Sequence, residues 1–191
     1  MNKYIVKTIF TKKECVEILK MKTKMVSRLT TTPKFEESFF NGALLDLTEE
    51  VILVDSWVHD RLMENMDIGN FANCDGIWPH YKLHTYQVGD ELGIHTDGAR
   101  GIKRVAVSIC LNDDYDGGDP KFLDWNFDMN KYAYQNFDIN TVKDNIKVIT
   151  IKSEVGLMVQ YPITTPHGVT KITKGVRKQL VTWFTGEYLN W

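Results

Sequence analysis

Cysteine is scarce in this 191-residue chain and follows no pattern: Cys15, Cys74 and Cys110 are odd in number, far apart and without a CxxC pair. That excludes a disulfide framework and a zinc knuckle, and it fits a reducing compartment. Long hydrophobic runs are missing as well. Residues 1–10 lack the apolar stretch of a signal peptide and nothing approaches the length of a membrane span, so a soluble, cytoplasmic protein with no membrane partner is expected. Neither charge is in excess, because 23 Lys and Arg against 25 Asp and Glu leave a formal net charge of -2. Such a balance offers no general electrostatic reason to bind nucleic acid. Internal repeats and low-complexity tracts are absent too.

What the chain does have is the composition of a globular protein, 43% hydrophobic and 12% aromatic. Its length suits one ordinary domain, so a single domain over residues 1–191 is expected. Charge is uneven only locally, with lysines concentrated in the first thirty residues and aspartates between Asp113 and Asp128. Both stretches read as solvated faces.

Residues 4–10 carry enough β-branched and aromatic side chains for a first strand. Thr11-Lys-Lys-Glu14 is a capping box, and Cys15, Ile18, Leu19, Lys22, Met25, Val26 and Leu29 recur at three- and four-residue intervals, which predicts an amphipathic helix to about Leu29. Residues 33–42 have no period and read as a loop. A second helix is expected from Thr48 as N-cap, with Glu49 and Glu50 in its first turn, through Val51, Trp57, Val58 and Leu62 to a cap at Gly69 or Asn70. Beyond Gly76 the texture changes to short β-rich runs at 78–88, 94–96, 102–111, 146–151, 156–160, 167–173 and 177–184, separated by Gly, Asp and Pro turns. The expectation is an α+β, mainly β domain. Residues 1–75 form a helical support region, and residues 76–186 form a sandwich or jelly-roll core with an insertion near 119–147. The aromatics of that insertion suit either a lid or packing on the barrel exterior.

Chemistry concentrates in two places. On an extended strand His95 and Asp97 point to one face, which supplies an imidazole and a carboxylate at one point. Far downstream, His167 begins a strand after a Pro-containing turn, and Arg177 lies on the next strand behind Gly175. If those strands pair, Arg177 projects into the same cavity as His167. Two imidazoles and one carboxylate occupy one face of an octahedron and suit non-haem Fe(II) oxygenases, whereas a structural zinc site would close its shell. His59, His80 and His84 have no partner motif and read as structural or solvent-facing, and Cys110 reads as a small buried hydrophobe.

Taken together, Tyr86-xx-Gly89-Asp90-xxxx-His95-x-Asp97, Pro166-His167-x-Val169, Gly175-x-Arg177 and Trp183 make the chain resemble the prolyl 4-hydroxylase-like branch of the Fe(II)/2-oxoglutarate dioxygenases. Residues 105–112, followed by Tyr115 and Gly117-Gly118, resemble the strand and Gly-Gly turn between the branch's two motifs. The resemblance covers roughly residues 77–184. It implies a double-stranded β-helix (jelly roll, cupin-like) braced by N-terminal helices, with Fe(II) held by His95, Asp97 and His167. It also implies 2-oxoglutarate as co-substrate, O2 as oxidant and ascorbate as reductant. By the same resemblance Arg177 binds the distal carboxylate of 2-oxoglutarate, which a planar guanidinium can take in two-pronged fashion. Tyr86 and Trp183 match residues that help hold and line that pocket. The implied reaction couples oxidative decarboxylation of 2-oxoglutarate to succinate with C-H hydroxylation of a prolyl residue in a peptide or protein. Hydroxylation of a small molecule such as a free amino acid is the alternative, because the iron motif is blind to what is oxidised. A non-catalytic metal- or carboxylate-binding module is the alternative of another class.

Overall fold

The computed structural model describes residues 4–30, 46–67, 74–97, 103–125 and 146–186. Strand β1 (Ile5–Thr8) leads into α1 (Lys12–Ile18), and the capping box forms as expected: Thr11 accepts from the Glu14 backbone while the Glu14 carboxylate accepts from Thr11 N-H at 2.7 Å. The helix stops far short of Leu29. Leu19 caps it, and residues Thr23–Thr30 form strand β2. Apolar spacing over 22–29 satisfies a helical period and a strand about equally, and a partner decides: β2 pairs antiparallel with β3 (Asp46–Ile52), which gives its backbone groups a ladder. The expected second helix is corrected in the same way. Residues 48–52 belong to β3, and α2 runs over Ser56–Glu64 from N-cap Asp55. The loop expected at 33–42 and the cap expected at Gly69 or Asn70 lie outside the described residues.

The large sheet has the order β1-β11-β7-β14-β5-β3-β2, where β5 is Tyr81–Tyr86, β7 is Lys103–Cys110, β11 is Leu157–Pro162 and β14 is Arg177–Thr185; β4 (Gly76–Ile77) also pairs with β14. A four-stranded sheet of order β10-β9-β12-β6 combines Ile146–Thr150, Pro120–Trp125, His167–Val169 and Leu92–His95. A two-stranded ribbon pairs β8 (Tyr115–Gly117) with β13 (Ile172–Gly175). These antiparallel sheets make the jelly roll. The segment expected as an insertion is partly sheet: β9 and β10 pair from Ile146↔Trp125 to Thr150↔Lys121, and Phe122 is 1% exposed. Residues 126–145 of that segment, for which a lid and packing on the barrel exterior are the two expectations, lie outside the described residues.

Strand alternation sorts the two faces of the large sheet. Val105, Val107, Ile109, Leu180 and Phe184 pack with Cys15, Ile18, Val58 and Leu62, so the helices brace the outer face. Ala106, Val181 and Trp183 point the other way and pack with Phe122 and Tyr161. Between this inner face and the four-stranded sheet lies a cavity of about 320 Å³.

Candidate active site

His95 and His167 are directly opposed across the β6–β12 pairing, which brings their rings to 4.3 Å between centroids. Asp97 follows β6, where its backbone N-H donates to Ile163 O at 3.0 Å. One ligand atom from each of these three residues lies within 4.8 Å of the other two. Asp97 Oδ1 is 3.5 Å from His95 Nε2 and 3.7 Å from His167 Nε2. Both Nδ1 atoms face backbone carbonyls, Gly93 O for His95 and Thr165 O for His167, each at 2.9 Å. A carbonyl only accepts, so each Nδ1 carries a proton and each ring is turned with Nε2 toward the common centre.

Protonation states follow from the surroundings. Burial, reinforced by His95, pushes His167 down to about 4, so its imidazole is neutral at neutral pH. Burial opposes ionisation of Asp97, but the two imidazoles and a hydrogen bond from Trp183 outweigh it and bring the carboxyl down to about 2. Its side chain is only 17% exposed. Two imidazoles whose Nε2 atoms meet an ionised carboxylate on one side of a cavity are a donor set that fits Fe(II).

Trp183 stands closer to this centre than its motif implied. Its indole Nε1 donates to Asp97 Oδ2 at 2.7 Å, leaving Oδ1 turned toward the two imidazoles. The strands of His167 and Arg177 do not pair as expected, since β12 pairs with β6 and β9; Arg177 and Tyr86 are instead Cα partners of β14 and β5, six residues along β14 from Trp183. Arg177 is 1% exposed, its guanidinium sits 5.3 Å from the Tyr86 ring centroid, and its Nε and Nη1 are buried without a hydrogen-bond partner. Two unpaired donors on a buried cation are costly unless an anion meets them, and a carboxylate matches that fork. Gly118 gives Arg177 its room: at φ +68°, a Cβ there would lie 2.6 Å from Arg177 Cδ. Tyr86 is fully buried, and its hydroxyl accepts from Gln179 Nε2 at 3.2 Å. Burial pushes that phenol up to about 12.

The cavity also contains residues that motif reading passed over. His84, expected to be structural or solvent-facing, is buried and lines the cavity. Ser108 Oγ donates to Gln179 Oε1 at 3.1 Å, Gln179 Nε2 donates to His84 Nδ1 at 3.3 Å, and His84 Nε2 donates to Glu49 Oε2 at 3.0 Å. Lys82 Nζ donates to the same Glu49 oxygen at 2.9 Å. Period-2 spacing from Tyr86 points to Lys82 and His84 in the sequence, whereas Glu49 was hidden by the helix expected there. Phe122 and Tyr161, ring centroids 5.1 Å apart, wall the side of His167. Of the other histidines, His59 Nδ1 meets Tyr81 OH at 2.8 Å and His80 packs edge-on to Trp78, both away from the triad. Cys110 is buried as expected, with Sγ 3.1 Å from Tyr115 OH.

Known proteins are similar to this chain in sequence and in fold. A PKHD-type hydroxylase of Paraburkholderia xenovorans is 31% identical over 111 residues, covering 53% of this chain and 40% of the relative; a second, of Burkholderia ambifaria strain MC40-6, is 32% identical over the same coverage. The chain thus spans about 40% of the length of the curated relatives it matches. By fold it is similar to the carbocyclase SnoK from nogalamycin biosynthesis, with a TM-score of 0.66, 9% identity, and coverage of 96% of this chain and 80% of that one. A prolyl-4-hydroxylase of Pseudomonas putida superposes with a TM-score of 0.53 at 13% identity over 97% of this chain and 94% of that one. The sequence pattern of the 2OG-Fe(II) oxygenase superfamily matches residues 81–185, more than half of the chain and the stretch holding all three candidate ligands and Arg177, so the chain belongs to that superfamily.

Proposed function

We propose that this protein is an iron- and 2-oxoglutarate-dependent hydroxylase. The observation that carries the reading is Arg177: a buried guanidinium with two unpaired donors shares a jelly-roll interior with a two-histidine, one-aspartate cluster. His95, Asp97 and His167 would hold the metal. When bound, iron, 2-oxoglutarate and O2 supply oxidative decarboxylation to succinate and carbon dioxide coupled to hydroxylation of a substrate C-H bond. The chain's own work is to position. The Gly93 and Thr165 carbonyls fix both imidazole tautomers, Trp183 holds the Asp97 carboxylate, and Arg177 anchors the distal carboxylate of the co-substrate. Tyr86 presents a protonated hydroxyl beside that anchor. Phe122 and Tyr161 keep water from the flank of His167.

A prolyl-type substrate is supported by the names of the Pseudomonas putida neighbour and of a Trichoplax adhaerens prolyl hydroxylase, TM-score 0.59. A prolyl residue in a peptide is the form those names favour; the charged Glu49–Lys82 pair in the cavity favours a free amino acid. The reading includes ascorbate as reductant, one domain over the chain, a cytoplasmic location suited to three free cysteines, and neither nucleic acid nor membrane as partner. Incubation with Fe(II), ascorbate and 2-oxoglutarate tests it by succinate release. Turnover is expected in the wild type and lost in His95→Ala, with Arg177→Gln raising the 2-oxoglutarate KM by roughly 30-fold or more, the worth of a charge-assisted pair. Iron-loaded wild type that never consumes 2-oxoglutarate would instead support a non-catalytic carboxylate-binding module.

A further inference from the structure

The wall opposite the triad has a chemistry that neither metal binding nor co-substrate anchoring uses. Lys82 on β5 and Glu49 on β3 face the same cavity as His95, Asp97 and His167, with side chains 26% and 12% exposed. Lys82 Nζ lies 5.4 Å from the ring centroid of Trp183, the indole whose N-H holds Asp97, so one aromatic ring connects the pair to the metal ligands. A partly buried ion pair contributes little net stability compared with apolar residues of the same volume. Charges kept inside a binding cavity are therefore better explained by what the cavity takes.

We infer that Glu49 and Lys82 form a subsite for the ammonium and carboxylate groups of an unacylated α-amino acid, so that the substrate is a free zwitterion and not an acylated peptide residue. The inference rests on the hydroxylase reading and decides between its two substrate forms. Glu49 uses one oxygen, Oε2, for both Lys82 and His84, while Oε1 has no partner among the described residues and is not sealed from the cavity. That leaves one carboxylate oxygen available as an acceptor on a residue that lines the cavity. Hydrogen bonds from His84 and Lys82 prevail over burial to hold its carboxyl at about 2, so it is charged throughout the neutral range. Lys82, with one partner in Glu49, has N-H groups left to donate. An ammonium on Glu49 and a carboxylate on Lys82 would complete an alternating square of charges.

Peptidyl proline cannot complete it. Its nitrogen has no N-H and no charge, so Glu49 Oε1 would face a group unable to donate. Free proline, as a secondary ammonium, presents two donors there. Cavity size agrees, since about 320 Å³ is at the lower end of small-molecule sites and must also house the co-substrate.

The test measures binding to the whole chain loaded with Mn(II) and 2-oxoglutarate by calorimetry, which needs no turnover. Its probes are the free L-amino acids, including L-proline, each beside its N-acetyl and carboxamide derivatives, together with a Pro-containing peptide. At least one free amino acid is expected to bind about tenfold or more tighter than its N-acetyl form. Glu49→Gln should bring that ratio close to one, and Lys82→Gln should do the same to the ratio of free acid to carboxamide. Ratios within one variant are independent of how much of it is folded. Binding of no free amino acid, equal or tighter binding of the N-acetyl forms or the peptide, or ratios unchanged in both variants would overturn the inference. Succinate release by the wild type judges the hydroxylase reading separately.

Discussion

At the scale of single residues, the site depends on atoms that touch no metal. Trp183 donates to the Asp97 oxygen that faces away from the imidazoles, so its N-H sets the aim of the other oxygen. Trp183→Phe keeps an aromatic ring and removes the donor; the dissociation constant for Mn(II) or Fe(II) is expected to rise about tenfold, as for other partners of ligating groups. Calorimetric titration checks it, and unchanged affinity would reduce Trp183 to packing. Glu49 yields a pH prediction. Its folded pKa of about 2 lies below the ordinary 4.5, so the unfolded chain takes up a proton first as acid is added. The stabilisation is present above about pH 4.5 and is lost as pH falls toward 2. Glu49→Gln should therefore cost on the order of 2 kcal/mol at pH 7 and progressively less below pH 4.5, read from urea denaturation at several pH values. A constant difference across that range would show that the ion pair is not what Glu49 contributes.

At the scale of elements, register does what motif spacing cannot. The pairing His167↔His95 joins two residues 72 positions apart, and Arg177↔Tyr86 places the proposed anchor beside the tyrosine. Turns matter as much, because Gly118 lies against Arg177 while Gly89, at φ +94°, has nothing within 4 Å of an added Cβ. Gly118→Ala combines backbone strain with contacts of 2.4 Å to Ile172 and 2.6 Å to Arg177, so a loss of roughly 1–3 kcal/mol of stability and weaker 2-oxoglutarate binding are expected. Gly89→Ala carries strain alone and should leave 2-oxoglutarate affinity intact. Equal affinity in both variants would separate the Gly-Gly turn from the anchor. Residues 23–30 and 48–52 belong to this scale too: their spacings are compatible with helix or strand, and sheet pairing between them selects the strand.

At the scale of the whole molecule, the site joins the two sheets, since His95 and His167 come from the smaller sheet while Trp183 and Arg177 come from the larger. A ligand bound across them should hold the sheets together. Mn(II) with 2-oxoglutarate at about a hundred times the dissociation constant is expected to raise the wild-type melting temperature by roughly 5–10 °C, and to raise that of Arg177→Gln and His95→Ala by less than half as much. An equal rise in all three would place the binding elsewhere. By itself the sequence pointed to the three candidate ligands and Arg177 through the order of motifs and the family they resemble, and to the mainly β class and the α1 capping box through local residue type. Residue type, local spacing and the order of motifs along the chain can all be read without knowledge of partners. Only the tertiary structure decided that 23–30 and 46–52 are strands, that Phe122 is core and not insertion, that Trp183 supports Asp97, and that Glu49, Lys82 and His84 share the cavity. Those facts depend on which strand lies beside which, and such long-range pairing is absent from any local pattern of residues.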